Sequence, residues 1–181
     1  VVPEEKKVYL AFNKPRGIVC TAEKREKNNV IDYLSYPVRI YPVGRLDKDS
    51  EGLLLMTNDG AIVNGIMRAR NRHEKEYQVE VNKEITPEFL KKMASGVPIL
   101  DTVTRPCRIQ KTGERSFTII LTQGLNRQIR RMCEALGYRV TKLKRVRIMN
   151  IHLKDLKTGE YRPLTEKELA ELKKQIGEEK R

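Results

Sequence analysis

Short apolar segments separated by polar turns run along the chain, and several of them alternate between apolar and polar residues. The segment Tyr77-Gln78-Val79-Glu80-Val81 alternates with period two, which predicts a half-buried strand. The run Gly52-Leu53-Leu54-Leu55-Met56 is short and wholly apolar, as in a buried strand. By the same criteria, further strands are predicted at 8–12, 102–109, 116–121 and 138–148.

Helices are predicted where apolar residues recur every three or four positions behind a capping residue. One follows the polar cluster 57–60, and a second begins at Thr86-Pro87 and ends at Gly96. The last helix begins at Thr165, which forms a capping box with Glu168. Because strands and helices follow in no strict alternation, the predicted class is α+β.

One further helix, between Asn126 and Gly137, carries a high density of arginine. Its predicted buried stripe consists of Ile129, Met132, Cys133 and Leu136. Since helical residues are about 100° apart, Arg127, Arg130 and Arg131 are expected together on the opposite side. The cysteine of the stripe is then a small core residue rather than a nucleophile.

The charge of the chain is strongly positive and unevenly distributed. Of 181 residues, 37 are Lys or Arg and 24 are Asp or Glu, a net charge of +13. Between Arg105 and Arg147, twelve basic residues less two acidic ones account for +10 of that excess. A smaller basic cluster lies at 68–75. An excess this local favours a phosphate-binding surface over a merely solvated face.

Several classes of protein are disfavoured by the sequence. The longest uninterrupted apolar run, 52–56, is too short to span a membrane, and the first residues lack the apolar core of a signal peptide. The three cysteines are widely spaced and the two histidines are far apart, so neither disulfides nor a metal site is expected. No nucleotide-binding fingerprint occurs. We therefore expect a cytoplasmic protein without cofactor or metal.

The segment Gly44–Leu55 holds the best candidate for chemistry. Asp47 lies at the start of an apolar strand between Arg45 and Lys48, and neighbouring cations favour the charged form of a carboxylate. Such a carboxylate suits a nucleophile or base that acts on an electrophilic carbon. A loop capped by Asp47 or Asp49 through backbone amides explains the same residues and is, from physics alone, the simpler interpretation.

Four short motifs occur in order: Asn13-Lys14-Pro15-Arg16-Gly17, Gly44-Arg45-Leu46-Asp47, Glu74-Lys75-Glu76-Tyr77 and Gly124-Leu125-Asn126-Arg127-Gln128-Ile129-Arg130. In order and spacing they resemble the motifs of the RsuA-type family of ribosomal RNA pseudouridine synthases, and the resemblance covers about residues 8–165. The stretches 70–77 and 123–132 look most like the RluF type, which acts on large-subunit ribosomal RNA. The resemblance implies a mixed, mostly antiparallel sheet flanked by helices, with two lobes around a central basic cleft.

The chemistry implied by the resemblance is the isomerisation of uridine. The bond from N1 to the ribose is broken, the base turns over, and C5 is rejoined to the ribose without cofactor or metal. By motif position, Asp47 is the nucleophile, Tyr77 stacks on the extruded base, and Arg130 forms a salt bridge with Asp47. An extruded base needs an aromatic platform, which agrees with a tyrosine in this motif.

The resemblance also suggests a uridine pocket and an RNA-binding surface. Arg45, Leu46 and Leu143 are expected to line the pocket. Contacts to RNA are expected from seven basic residues: Lys14, Arg127, Arg131, Lys142, Lys144, Arg145 and Arg147. The expected partner is ribosomal RNA, with transfer RNA as a second candidate, bound by a monomer with no membrane association.

Other functions would use the same residues. A non-catalytic RNA-binding or ribosome-associated protein explains the charge, with Tyr77 as a core aromatic and Arg130 as one more phosphate contact. A glycosidase or nuclease would use Asp47, but it normally needs a second carboxylate or a metal cluster. Asp49 is close in sequence but, at i+2, need not face the same side.

The expected domain organisation is a catalytic domain over 8–176, with a linker at 1–7 and a charged tail at 177–181. Members of the family usually carry a small N-terminal RNA-binding module, which is not visible here. Either that module has been removed or the protein finds its RNA differently, and the missing initiator Met favours removal.

Overall fold

The computed structural model describes residues 6–178, which divide into two compact units. Unit 1 holds the described residues up to Ala69 and from Asn150 onward, and unit 2 is Arg70–Met149. In chain order the elements are β1 (Tyr9–Lys14), α1 (Val30–Leu34), β2 (Tyr41–Pro42), β3 (Glu51–Thr57), α2 (Gly60–Arg68), β4 (Lys75–Val81), α3 (Pro87–Ser95), β5 (Pro98–Ile99), β6 (Thr102–Val103), β7 (Arg108–Gly113), β8 (Ser116–Leu121), α4 (Gln128–Ala135), β9 (Val140–Ile148), β10 (Ile151–His152), β11 (Tyr161–Pro163) and α5 (Glu166–Glu178). The predicted α+β class is confirmed.

In unit 1, β1 is paired antiparallel with β11 on one side and with β3 on the other, and β2 is antiparallel to β3. The apolar run predicted as a strand is β3, which is buried from Gly52 to Thr57. Its inward side chains join a core cluster made of Leu10, Phe12, Val30, Leu34, Ile40, Leu46, Leu54 and Met56. Helices α2 and α5 approach so closely at Gly65 that a Cβ there would overlap the side chain of Ile176.

The start of α5 agrees with the predicted capping box. The backbone N of Thr165 donates to Glu168 Oε1 at 2.9 Å, and the backbone N of Glu168 donates to Thr165 Oγ1 at 3.1 Å. Arg162 also donates to both carboxylate oxygens of Glu168, at 2.8 and 2.9 Å. These hydrogen bonds hold the pKa of Glu168 at about 2, with the contribution of Arg162 the largest.

In unit 2, the strand order is β9-β4-β8-β7, and each neighbouring pair is antiparallel. Tyr77, Val79 and Val81 lie on the same face of β4, because side chains alternate along a strand. On that face, α3 and α4 pack against the sheet over a buried cluster of Val79, Val81, Ile85, Phe89, Met93, Val97, Ile99, Phe117, Ile119, Leu121, Ile129, Met132, Cys133, Tyr138 and Leu143. The predicted cap of α3 is confirmed, since Thr86 Oγ1 accepts from the backbone N of Phe89.

Two predicted features differ from the structure. The strand expected over 102–109 is split into β6 and β7, because Thr104 bonds back to Val97 through its backbone N and its Oγ1, at 3.0 and 2.8 Å. Pro106, which has no N–H, then interrupts the chain. Helix α1 was not predicted, although Asn29 caps it by accepting from the backbone N of Asp32.

The expected linker and tail are described only in part. Residues 1–5 and 179–181 lie outside the described residues, and α5 continues through residues 177 and 178, where the tail was expected to begin. Over residues 6–178, none of the helices combines the length and apolar character that a membrane-spanning helix requires.

Candidate active site

Asp47 lies in the loop between β2 and β3 of unit 1, and it is half-buried. The backbone N of Ser50 donates to the carbonyl oxygen of Asp47 at 3.0 Å, which closes a turn that begins at Asp47. The next carbonyl along, that of Lys48, accepts from the backbone N of Gly17 at 2.7 Å. The loop that carries Asp47 is therefore fastened to the turn that follows β1.

Lys14, the last residue of β1, is fully enclosed, with an exposed fraction of 0%. Its Nζ donates to the carbonyl oxygens of Pro15 and Ile18, both at 2.8 Å. Burial lowers the pKa of Lys14, and the nearby acidic groups, Asp47 among them, act in the opposite direction. The expected contact of Lys14 with RNA stays a prediction, and it is not favoured by this burial, because the ammonium group is used inside unit 1. It places a positive charge within electrostatic reach of Asp47.

The two residues before Asp47 have different environments. Leu46 packs in the core cluster of unit 1, which accounts for its burial without a role in a pocket. Arg45 is exposed. The sulfur of Cys20 donates to the carbonyl oxygen of Leu46 at 3.2 Å, so the backbone here is held from a second direction.

Tyr77 lies in β4 of unit 2, opposite Ile119 of β8 and Arg145 of β9. It is half-buried and packs against the edge of the core cluster. Within residues 6–178, no group forms a hydrogen bond with its hydroxyl, whereas buried tyrosine hydroxyls usually have a partner. The ring is therefore held by packing while its polar end stays available.

Helix α4 begins at Gln128, one residue later than predicted, and Asn126 is not its cap. Arg127 is the N-cap residue, in a left-handed conformation with φ of 48°, and no side chain caps the helix there. Asn126 cannot fulfil that role because its carbonyl oxygen and its Oδ1 both accept from Arg131, at 3.0 and 2.9 Å. The backbone N of Leu125 instead donates to Gln128 Oε1 at 3.1 Å.

The three arginines of this segment do not share a side as predicted. Arg130 is buried, with an exposed fraction of 8%, whereas Arg127 is exposed and Arg131 is half-buried. A guanidinium group keeps its charge in proteins, so one that is this enclosed requires an acceptor or carboxylate partner. Arg130 is consequently distinguished from the two neighbours expected to contact phosphate.

The register of β4 and β9 separates the basic residues of β9 onto two faces. Lys142 and Lys144 lie opposite Glu80 and Gln78, on the face away from Tyr77. A single RNA track that runs from these lysines past Tyr77 is therefore not supported. Lys142 Nζ lies 4.0 Å from Glu80 Oε2 on that face.

Arg147 and Arg145 are also poorly placed for a simple surface contact. Arg147 forms ion pairs with Glu74 and Glu76, each at 3.1 Å, so part of its guanidinium is already engaged, and its expected contact with RNA stays a prediction. A bulge between the two strands brings Arg145 opposite Tyr77, where its exposed fraction is only 6%. Leu143 lies in the core cluster, and its proposed place in a pocket stays a prediction.

Lys75 is a residue that sequence reasoning did not single out beyond its motif. It precedes Tyr77 by two positions and so lies on the same face of β4. Its Nζ donates to the carbonyl oxygen of Arg70 at 2.6 Å. Burial, together with the charges of Arg145 and Arg70, lowers the pKa of Lys75 to about 8. The period-two alternation of β4 could have predicted that Lys75 lies on the same face as Tyr77.

Cys107 and Cys133 are poorly suited to act as nucleophiles. Burial raises the pKa of Cys133 to about 12 and that of Cys107 to about 11, which suppresses the reactive thiolate. The prediction that Cys133 is a core residue is confirmed. In the part of the chain that the structure describes, no group of three or more His, Cys, Asp or Glu side chains is arranged to hold a metal ion.

The chain was compared with known protein families, curated proteins and solved structures. Residues 8–135 match the model of the RNA pseudouridylate synthase family. The chain is 56% identical over 169 residues to the dual-specificity RNA pseudouridine synthase RluF of Salmonella typhi, which covers 93% of this chain and 58% of that protein. It is 36% identical over 180 residues to the ribosomal large subunit pseudouridine synthase B of Bacillus subtilis, which covers 95% of this chain and 74% of that protein.

A crystal structure of a pseudouridylate synthase matches the fold with a TM-score of 0.84 at 29% identity, over 93% of this chain and 75% of that one. The chain belongs to the RNA pseudouridylate synthase family. The predicted similarity to the RluF type within that family is confirmed. The chain spans 58% of the length of those relatives.

Proposed function

We propose that this chain is the catalytic part of an enzyme that isomerises uridine to pseudouridine in RNA, with large-subunit ribosomal RNA as the main substrate. The observation that carries the proposal is that the family match over residues 8–135 contains all four motifs, including Asp47, Tyr77 and Arg130. A relative is named for the ribosomal large subunit. Another is named dual-specificity, so transfer RNA is included as a second substrate to test.

In the proposed reaction the glycosidic bond between N1 and C1′ breaks and a bond between C5 and C1′ forms. The hydrogen at C5 leaves as a proton, and N1 gains one, so no oxidant, reductant or metal is consumed. Asp47 forms a covalent bond to the ribose or to the base and is released at the end of the cycle. A carboxylate is suitable because it is both a nucleophile and a leaving group.

The surroundings of Asp47 support this role through positioning. Its loop is fastened by hydrogen bonds at Lys48 and at Leu46, and the enclosed ammonium of Lys14 provides a fixed positive charge. A nucleophile held by its backbone in this way needs little reorganisation before it attacks.

Tyr77 is proposed to stack on the extruded base and to assist removal of the proton from C5. The packing of its ring against the core of unit 2 and the available hydroxyl both suit these roles. Stacking on an aromatic side chain is worth about 1–3 kcal/mol per base. That amount is enough to offset much of the cost of unstacking the uridine.

Arg130 is proposed to pair with Asp47 and to orient it. The support is its burial, which distinguishes it from Arg127 and Arg131, and its position in the motif. The residues that suit contacts to the RNA backbone are then Arg127, which is exposed, and Arg131, which is half-buried. A monomer, a cytoplasmic location and a basic cleft between two lobes remain predictions.

The proposal is tested with a large-subunit ribosomal RNA transcript tritiated at uridine C5. Formation of pseudouridine releases this tritium to water, whereas a protein that only binds RNA leaves it in place. A glycosidase would instead release uracil that still carries the label. The matched control is the same transcript tritiated at C6, because that hydrogen is retained in pseudouridine. No release from either label by a well-folded protein would contradict the proposed activity.

A further inference from the structure

Three loops of unit 2 meet beside Lys75, and hydrogen bonds connect them. Arg105, between β6 and β7, donates from its backbone N to Gln123 Oε1 at 3.0 Å and from Nη1 to the carbonyl oxygen of Asn71 at 2.7 Å. Lys75 Nζ donates to the carbonyl oxygen of Arg70 in the loop before β4. The segments 70–74, 104–107 and 122–127 are therefore joined in one place, which we call the three-loop junction.

Gly124 leaves the ammonium of Lys75 accessible at this junction. A Cβ placed on Gly124 would lie 3.6 Å from Lys75 Nζ and 3.9 Å from Asn71 Oδ1, so a larger side chain would cover both polar groups. Gly124 itself is exposed. A small residue at such a position permits close approach of another molecule to the amine and to the peptide backbone.

The charge at the junction is one-sided. Lys75, Arg70 and Arg105 are cationic, and the charged groups that act on Lys75 are Arg145 and Arg70, both of which lower its pKa. The two acids nearest in sequence, Glu74 and Glu76, form ion pairs with Arg147 and so compensate a different residue. The charged form of Lys75 is disfavoured by burial and by the neighbouring cations, and an anion beside it relieves that cost.

Arg105 has donors to spare for such an anion. Its side chain is exposed, and within residues 6–178 no carboxylate is paired with it. The carbonyl oxygen of Asn71 accepts from one of its N–H groups, which fixes the plane of the guanidinium while the remaining donors stay free. A planar fork held in this manner matches the geometry of two phosphate oxygens.

We propose that the three-loop junction binds a backbone phosphate of the RNA substrate, through Arg105 and Lys75 with the backbone near Gly124. The inference rests on the proposed function for the identity of the ligand. Lys75 and Tyr77 are two positions apart on one strand face, about 7 Å between Cα atoms. The bound phosphate therefore belongs to a nucleotide close to the uridine that stacks on Tyr77.

The experiment measures the salt dependence of RNA binding. Filter binding of the large-subunit transcript is followed over a series of KCl concentrations for the wild type, Arg105→Ala and Arg115→Ala. Arg115 is the matched control, because it is an exposed arginine in the turn between β7 and β8, at the far end of β8 from the junction. The six residues of β8 place it roughly 20 Å away.

We expect Arg105→Ala to weaken binding several-fold at about 0.1 M salt and to reduce the slope of log K against log salt by about 0.7–0.9. Arg115→Ala should leave the slope unchanged. Arg105→Lys keeps the charge and should restore most of the slope, which a purely structural loss of the Asn71 hydrogen bond would not do. Thermal unfolding of each variant shows that it is folded.

Lys75→Gln provides a second, independent variant, and it should reduce the slope by a similar amount. A wild-type slope in both Arg105→Ala and Lys75→Gln would overturn the proposal. Equal changes in Arg105→Ala and Arg115→Ala would also overturn it, because they would indicate a general effect of net charge. Tritium release by the wild type is measured separately, so that failure of the proposed activity is distinguishable from failure of this contact.

Discussion

Replacing Glu168 with Gln should lower the free energy of unfolding at pH 7 by up to about 3.5 kcal/mol. The carboxylate is nearly enclosed, with an exposed fraction of 9%, and it accepts two hydrogen bonds from Arg162 and one from the backbone of Thr165. These contacts lower its pKa from 4.5 to about 2. At about 1.4 kcal/mol per unit, that difference gives the stated magnitude as an upper value.

The contribution of Glu168 to the free energy of unfolding depends on pH. Because the pKa in the folded protein is depressed, the stabilisation is present above pH 4.5 and is lost as the pH falls toward 2. Urea unfolding followed by circular dichroism at pH 7, 4.5 and 3 measures this loss. Glu166→Gln is the matched control, since it changes an exposed acid in the same helical turn. Equal stability of Glu168→Gln and wild type at pH 7 would refute the reasoning.

Three other predictions concern packing and the candidate site. Gly65→Ala should lower the free energy of unfolding by about 1–3 kcal/mol, because the new methyl group overlaps the side chain of Ile176. Gly177→Ala is the control, since a Cβ there meets nothing within 4 Å, and thermal unfolding of both variants measures the difference. Tyr77→Phe should bind RNA normally but release tritium very slowly, whereas Tyr77→Ala should be impaired in both binding and release; a Phe variant as fast as wild type would reduce Tyr77 to a platform. Arg130→Gln should lower turnover far more than RNA affinity, whereas Arg127→Gln should mainly weaken RNA binding and reduce its salt dependence. Filter binding measures the affinity and single-turnover tritium release measures the turnover. If the two variants have similar effects on both measurements, Arg130 is part of the phosphate-binding surface.

Elements fixed by local interactions could be predicted from the sequence. Thr86 and Gly96 bound α3, and Thr165 with Glu168 starts α5, because each cap involves residues within a single turn. Helix α4 was displaced because Asn126, a good cap by composition, accepts from Arg131 instead. That competition depends on the conformation of a long side chain, which a pattern of residue types does not contain.

The candidate site was predictable in its chemistry but only partly in its geometry. The motifs single out Asp47, Tyr77 and Arg130 as the proposed site residues, whereas physical reasoning alone favoured an ordinary loop around Asp47. Lys14 was expected at the surface because lysines rarely are fully buried. The carbonyl groups of Pro15 and Ile18 surround it in a turn that only the folded chain forms.

The assignment of basic residues to RNA was limited by strand register. Residues 139–147 are rich in basic residues, yet β9 sends Lys144 and Arg145 to opposite faces, and a bulge between Glu76 and Tyr77 brings Arg145 opposite Tyr77. Neither the register nor the bulge can be read from charge alone. Arg105 likewise became a candidate only once the hydrogen bonds of its loop were known.

The most direct test of the account compares Asp47→Asn with Asp49→Asn in single-turnover tritium release from the C5-labelled transcript. Both variants remove one carboxylate from the same loop, so their effects on the net charge are equal. We predict that Asp47→Asn binds RNA and releases no tritium above background, whereas Asp49→Asn retains most of the wild-type rate. Release by Asp47→Asn at a rate near that of the wild type would contradict the assignment of Asp47 as the nucleophile.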